Sequence, residues 1–135
     1  MNYVNPVNIA IISLNNSTTE YYTQFFNLKQ YDNILHLDKR SFNIEKFKNF
    51  QPEIILIDDY FNCDNNEEII NKIKKEFQTI PTYYLAPQCV DCFNDYEDEK
   101  VYFFKDNFNE SLIEHFNKTL LKLRIKREIT KNIAI

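Results

Sequence analysis

Glycine is absent from all 135 residues, although about 7% is usual in globular proteins. That absence excludes every phosphate-binding loop built on glycine, both the Walker A type and the dinucleotide fingerprint. It also leaves turns of positive φ to asparagine and aspartate, the side chains that tolerate that region best. Tryptophan is absent too, and there are only four prolines and three cysteines. No apolar run approaches the ~18 residues that a membrane span requires. Met1 to Asn8 lack a basic n-region, and no small-residue cleavage site follows an apolar stretch, so the sequence predicts a cytoplasmic protein without a secretory signal. The net charge of −4 argues against nucleic-acid binding over the whole surface, while leaving room for a local basic patch.

What is present is an apolar content of 44%, enough for one domain with a proper core. Asn, Ile, Lys, Phe and Tyr are abundant, a bias that also fits an AT-rich coding sequence. The most informative stretch is Gln51-Pro-Glu-Ile-Ile-Leu-Ile-Asp-Asp59. A short, unbroken run of branched apolar residues predicts a strand buried on both faces, as in the middle of a parallel sheet covered by helices. The C-terminal ends of such strands open onto the crevice where α/β folds place their chemistry, and Asp58 and Asp59 stand at that end.

The rest of the chain alternates. Val7 to Ser13, Asn33 to Leu37, Glu53 to Ile57, Thr82 to Ala86 and Val101 to Phe104 read as strands. Ser17-Thr-Thr-Glu20 fits a capping box ahead of Tyr21, Tyr22, Phe25, Phe26 and Leu28 at helical spacing. Ser41 is predicted to cap a short helix carrying Phe42, Ile44, Phe47 and Phe50, with Pro52 beyond its end. Glu67 to Phe77 reads as an amphipathic helix, residues 91 to 99 as a further acidic helix, and about Asn109 to Thr130 as a long final one. Five strand–helix units predict right-handed crossovers and a parallel sheet. The expected fold is a three-layer α/β/α sandwich with a five-stranded parallel sheet, flavodoxin-like, with an extended C-terminal helix. A domain over 1–123 and a helical extension over 124–135 are expected.

On these residues the chain resembles the receiver domain of bacterial two-component response regulators. Pro52-Glu-Ile-Ile-Leu-Ile-Asp58 is similar to the family's Pro-Asp-Leu-Ile-Leu-Leu-Asp strand, Ile80-Pro-Thr-Tyr-Tyr-Leu-Ala86 to its Ile-Pro-Val-Ile-Val-Leu-Thr, and Tyr102-Phe-Phe-Lys105 to its Tyr-Leu-Thr-Lys. The resemblance runs from about Val7 to about Leu123. It implies that Asp58 stands at the phospho-accepting position, Lys105 at the lysine that contacts the phosphoryl group, and Tyr102 at the switch aromatic. The family's acidic pair for Mg²⁺ falls on Ser13 and Leu14, its phosphoryl-binding hydroxyl on Ala86, and its usual post-lysine proline on Asp106.

Those departures have physical consequences. Phosphoryl transfer to a carboxylate depends on positioning and charge neutralisation. Mg²⁺ wants octahedral oxygen ligands, commonly with one or two protein carboxylates. Leu14 offers none, Ser13 a neutral hydroxyl, and Asn15 and Asn16 only amide oxygens after a slip in register. Losing a principal charge-stabilising contact costs ~3–4 kcal/mol, or ~10²–10³ in rate. The expectation is an atypical receiver that is not an enzyme, is phosphorylated weakly or not at all, requires no cofactor, and binds a signalling partner such as a histidine kinase or downstream effector. With Ala86 in place of the hydroxyl, Tyr102 is free to sit inward without a signal. The plainer reading makes Asp58 a helix cap or an ion-pair partner of Lys105. A second alternative is a working receiver that uses Asp58 and Mg²⁺.

Cys63, Cys89 and Cys92, the last two as Cys-x-x-Cys, are expected near the same sheet edge. They read as reduced thiols, as a redox pair or as zinc ligands lacking an evident fourth partner. His36 and His115 fall on a strand and a helix, away from that cluster. The final helix carries an apolar stripe of Leu112, Ile113, Phe116, Leu120 and Leu123. Ile125, Ile129 and Ile133 follow on a drifting face, with Lys118, Lys122, Arg124, Lys126, Arg127 and Lys131 along the same half. This half reads either as a solvated end matched to the helix dipole, or as a homodimer contact made with the fifth strand and the acidic 91–99 stretch.

Overall fold

The computed structural model describes residues 6–14, 19–30, 32–58, 67–85, 101–104 and 110–133, with backbone alone at 25, 67, 85, 101–104, 110–112 and 127–133. Its elements are β1 (Asn8–Ser13), α1 (Thr19–Phe25), β2 (Asn33–Asp38), α2 (Ile44–Phe50), β3 (Ile54–Asp58), α3 (Glu67–Glu76), β4 (Thr82–Leu85), β5 (Val101–Phe104) and α4 (Glu110–Ile133). All neighbouring strands run parallel, in the order β2-β1-β3-β4-β5. This is the flavodoxin-like order, and its switch point lies where the connections change direction between β1 and β3. The helix expected over 91–99 lies outside the described residues.

Strand alternation divides the core in two. Val7, Ile9, Ile11, Ile54, Leu56 and Tyr83 join Tyr22 and Phe26 around α1 and Phe116 and Leu120 of α4. Ala10, Ile12, Leu14, Leu37, Ile55, Ile57 and Tyr84 meet Phe47 of α2 and Ile70 and Ile73 of α3 on the other face. Every residue of β3 is buried, as its unbroken apolar run requires. On the α1/α4 face, the Tyr83 hydroxyl bonds His115 Nδ1 at 2.7 Å and Thr119 Oγ1 at 2.5 Å, which joins β4 to α4.

Two local expectations are corrected. Ser41 does not cap α2. Its hydroxyl and N–H are engaged with Asp38 at the end of β2, and Asn43 is the cap, its side chain accepting from Glu45 N at 2.8 Å. The positive-φ residue among those described is Gln51, not an asparagine or aspartate, at φ 56°. It closes α2 by donating its N–H to Phe47 O and Lys48 O. An αL residue with a Cβ costs about 1–2 kcal/mol, and those two bonds to otherwise unpaired carbonyls offset it. Asparagine instead acts through its side chain. Asn8 Nδ2 donates to Phe50 O at 3.0 Å and Gln51 O at 3.1 Å, while its Oδ1 accepts from Asn33.

The second half of α4 is only partly a solvated basic face. Lys118, Lys122 and Lys126 are exposed, but Arg124 turns inward onto Asp32, whose side chain is fully buried. Asp32 also accepts from Val7 N at 3.1 Å and Lys29 N at 3.0 Å, and Arg124 donates to Asn27 O at 3.0 Å. These bonds fasten α4 to the N-terminal edge of the sheet. Removing one member of a buried pair strands the other charge, so Arg124→Met is expected to lower stability by about 3–5 kcal/mol. Lys122→Met, at an exposed position, should stay within about 0.5 kcal/mol. Urea denaturation of the two variants checks this contrast.

Candidate functional site

The switch point fixes where the site stands. Ser13 and Asp58 end β1 and β3 and are direct register partners. Leu14 N donates to Asp58 O at 2.9 Å, which extends the ladder by one residue. Alternation gives Asp58 the side of Ile54 and Leu56, and Ser13 the side of Ile9 and Ile11, so both belong to the α1 layer. Asp58 is 1% exposed and Ser13 is fully buried. Leu14, the other position of the missing acidic pair, packs into the opposite core with Ile12 and Ile57.

The contact that organises this end comes from α1. Tyr22 donates its hydroxyl to Asp58 Oδ2 at 2.9 Å, and both groups are buried. Its ring stands edge-on to His36 at 5.5 Å and to Tyr21 at 5.4 Å. His36 Nδ1 in turn shares a hydrogen bond of 2.9 Å with the Thr19 hydroxyl, at the first residue of α1. The helical spacing of the Tyr/Phe stripe marks Tyr22 only as a core residue. The available signal was chemical, because a phenol that is fully buried requires a partner for its O–H.

Two groups on β2, His36 and Asp38, have shifted titration. Burial is the largest influence on His36 and holds it below the ordinary histidine value of 6.5, against weaker upward pulls from Asp38 and Glu20. Asp38 lies across β1 from Asp58, paired in register with Ser13. The Ser41 N–H, and then the Ser41 hydroxyl, hold its carboxyl below the usual aspartate range, and the same bonds close it into a turn.

The receiver resemblance implies Mg²⁺ at this edge, and the donors among the described residues do not fit it. Ser13 contributes a neutral oxygen, Leu14 none, and Asp38 is folded onto Ser41. Among the described residues no three His, Cys, Asp or Glu side chains converge on a metal position. Lys105, Ala86, Asp106, Cys63, Cys89 and Cys92 lie outside the described residues, as do Asn15, Asn16 and Asp59. Tyr102 is placed by its backbone in β5, in register with Tyr83.

A solved structure of the RcsB response regulator of Salmonella typhimurium superposes with a TM-score of 0.52 at 12% identity, covering 85% of this chain and 68% of that one. The chain has a receiver-like fold. Its likeness to that response regulator is one of architecture. No protein-family profile matches the chain, and no curated protein does. Among the described residues no helix is long and apolar enough to cross a membrane.

The depressed His36 value has a definite sign. The stability contributed by neutral His36 is fully present above the unfolded value of 6.5 and is lost as pH falls toward the folded value, because the unfolded chain takes up the proton first. Stability should therefore decline as pH drops from about 7 to about 5, and His36→Gln should flatten that slope. Urea midpoints measured across the interval check it.

Proposed function

We propose that this chain is an atypical receiver-like signalling domain that acts by binding a protein, with Asp58 phosphorylated weakly or not at all. The observation that carries the reading is the state of Asp58. It stands at the switch-point end of the central strand, where the fold places its chemistry. It is buried, however, and one carboxylate oxygen is held by Tyr22. An incoming phosphodonor needs an exposed, correctly aimed oxygen and neutralisation of its charge. The positions that supply that neutralisation in receivers hold Ser13 and Leu14.

A domain without phosphoryl chemistry signals through its surface. Leu121 and Ile125 lie one turn apart on α4 and are 56% and 47% exposed, alongside exposed Lys118 and Lys122. We assign this strip to a protein contact, with a second copy of the chain as its occupant. The net charge of −4 disfavours a nucleic-acid partner.

Two measurements test these assignments. Incubation with acetyl phosphate and Mg²⁺ is expected to leave the intact mass unchanged. A stoichiometric phosphate adduct that disappears in Asp58→Ala would falsify the inactive-site reading. Light scattering is expected to give a dimer mass for the native chain and a monomer mass for Leu121→Lys/Ile125→Lys. A monomer at every concentration and salt level would remove the self-association.

A further inference from the structure

We infer that Tyr22 on α1 is a residue that senses the state of Asp58, and that α1 is the element that responds. The inference rests on the receiver-like reading of the site and goes beyond it by naming the output element.

Three observations lead to it. The first is the buried bond from the Tyr22 hydroxyl to Asp58 Oδ2 at 2.9 Å. With Asp58 ionised, that bond is about twice as strong as with the carboxyl neutral. Anything that neutralises Asp58, or recruits that oxygen to another cation or group, therefore weakens the hold on Tyr22.

The second is that α1 is tied to the sheet end at two polar points. Tyr22 reaches the end of β3, and Thr19 reaches His36 near the end of β2. The Tyr22 ring against His36 at 5.5 Å joins the two ties, so they release together.

The third is that α1 has only seven residues. Isolated helices below about 12–15 residues are marginal in water, so the order of this one depends on what fastens it. Its apolar anchor Tyr22, and Phe26 just beyond its end, face the core, while Glu20, Thr23 and Gln24 are exposed. Loosening α1 would alter a polar surface bearing Glu20 and Tyr21, and would do so from a buried event at Asp58.

Amide hydrogen exchange over α1 in the full chain tests the coupling. Tyr22→Phe keeps the ring in the core and removes only the hydroxyl. It should speed α1 exchange roughly ten-fold or more, while the amides of α2 keep their native rates. Asp58→Asn should act on α1 in the same direction, and the double variant should exchange no faster than the faster single variant. Thr19→Val, which cuts the second tie without touching the core, should also speed α1. Unchanged α1 exchange in Tyr22→Phe, or effects of Tyr22→Phe and Asp58→Asn that multiply in the double variant, would overturn the inference. The mass of the phosphodonor-treated native chain is read separately. An adduct there, together with non-multiplying exchange here, would refute the inactive-site reading and leave the Tyr22 coupling standing.

Discussion

A carboxylate at the end of a strand buried on both faces has little water to solvate it, and it must be satisfied by the protein or neutralised. Asp58 is in that position. Its backbone belongs to the central ladder through Ser13 and Leu14, and its side chain belongs to the α1 layer, where it accepts the Tyr22 hydroxyl. Much of the local architecture follows from that requirement. Tyr22 must sit over the end of β3, which sets where α1 crosses the sheet. The crossing brings Thr19 to His36 and presses the Tyr22 ring against the imidazole.

The opposite edge repeats the solution with different partners. Asp32 is buried at the N-terminal edge, where it collects Val7 N, Lys29 N and Arg124. One face of the sheet is thus pinned at each end by a buried carboxylate, Asp58 drawing down α1 and Asp32 drawing down α4. The other face is held differently. Its α2 and α3 contacts are chiefly apolar, through Phe47, Ile70 and Ile73, with Asn43 and Gln51 closing the ends of α2. Among the described residues, the buried aspartates Asp32 and Asp58 both serve the α1/α4 face, and so does the candidate site.

A shared architecture with a response regulator does not transfer chemistry, because function belongs to the site. The fold here places an aspartate at the switch-point end of the central strand. The adjoining β1 positions carry a buried serine and a leucine that packs into the other core. Asp38, across β1 from Asp58, is spent on a turn with Ser41. Among the described residues, the group that meets the Asp58 carboxylate is the Tyr22 hydroxyl.

The parallel α/β fold was legible from the chain, because apolar runs and helical periodicity are local and β3 declares its two-sided burial in four consecutive residues. The place of Asp58 at the crevice followed from the same pattern. Local rules were less dependable where two neighbouring groups competed. Ser41 and Asn43 both qualify as helix caps, and Asp38, at the end of β2, captured the serine. Arg124 looks like one more solvated base late in a helix until the fold brings up the buried Asp32, 92 positions away in sequence. Tyr22 reads as an ordinary core aromatic until β3 supplies its acceptor. Sequence alone determined the periodicity, and with it the order and kind of the elements. Only the tertiary structure decided which buried polar groups meet, because hydrogen bonds and ion pairs between distant residues depend on Ångström-scale placement that no local pattern encodes.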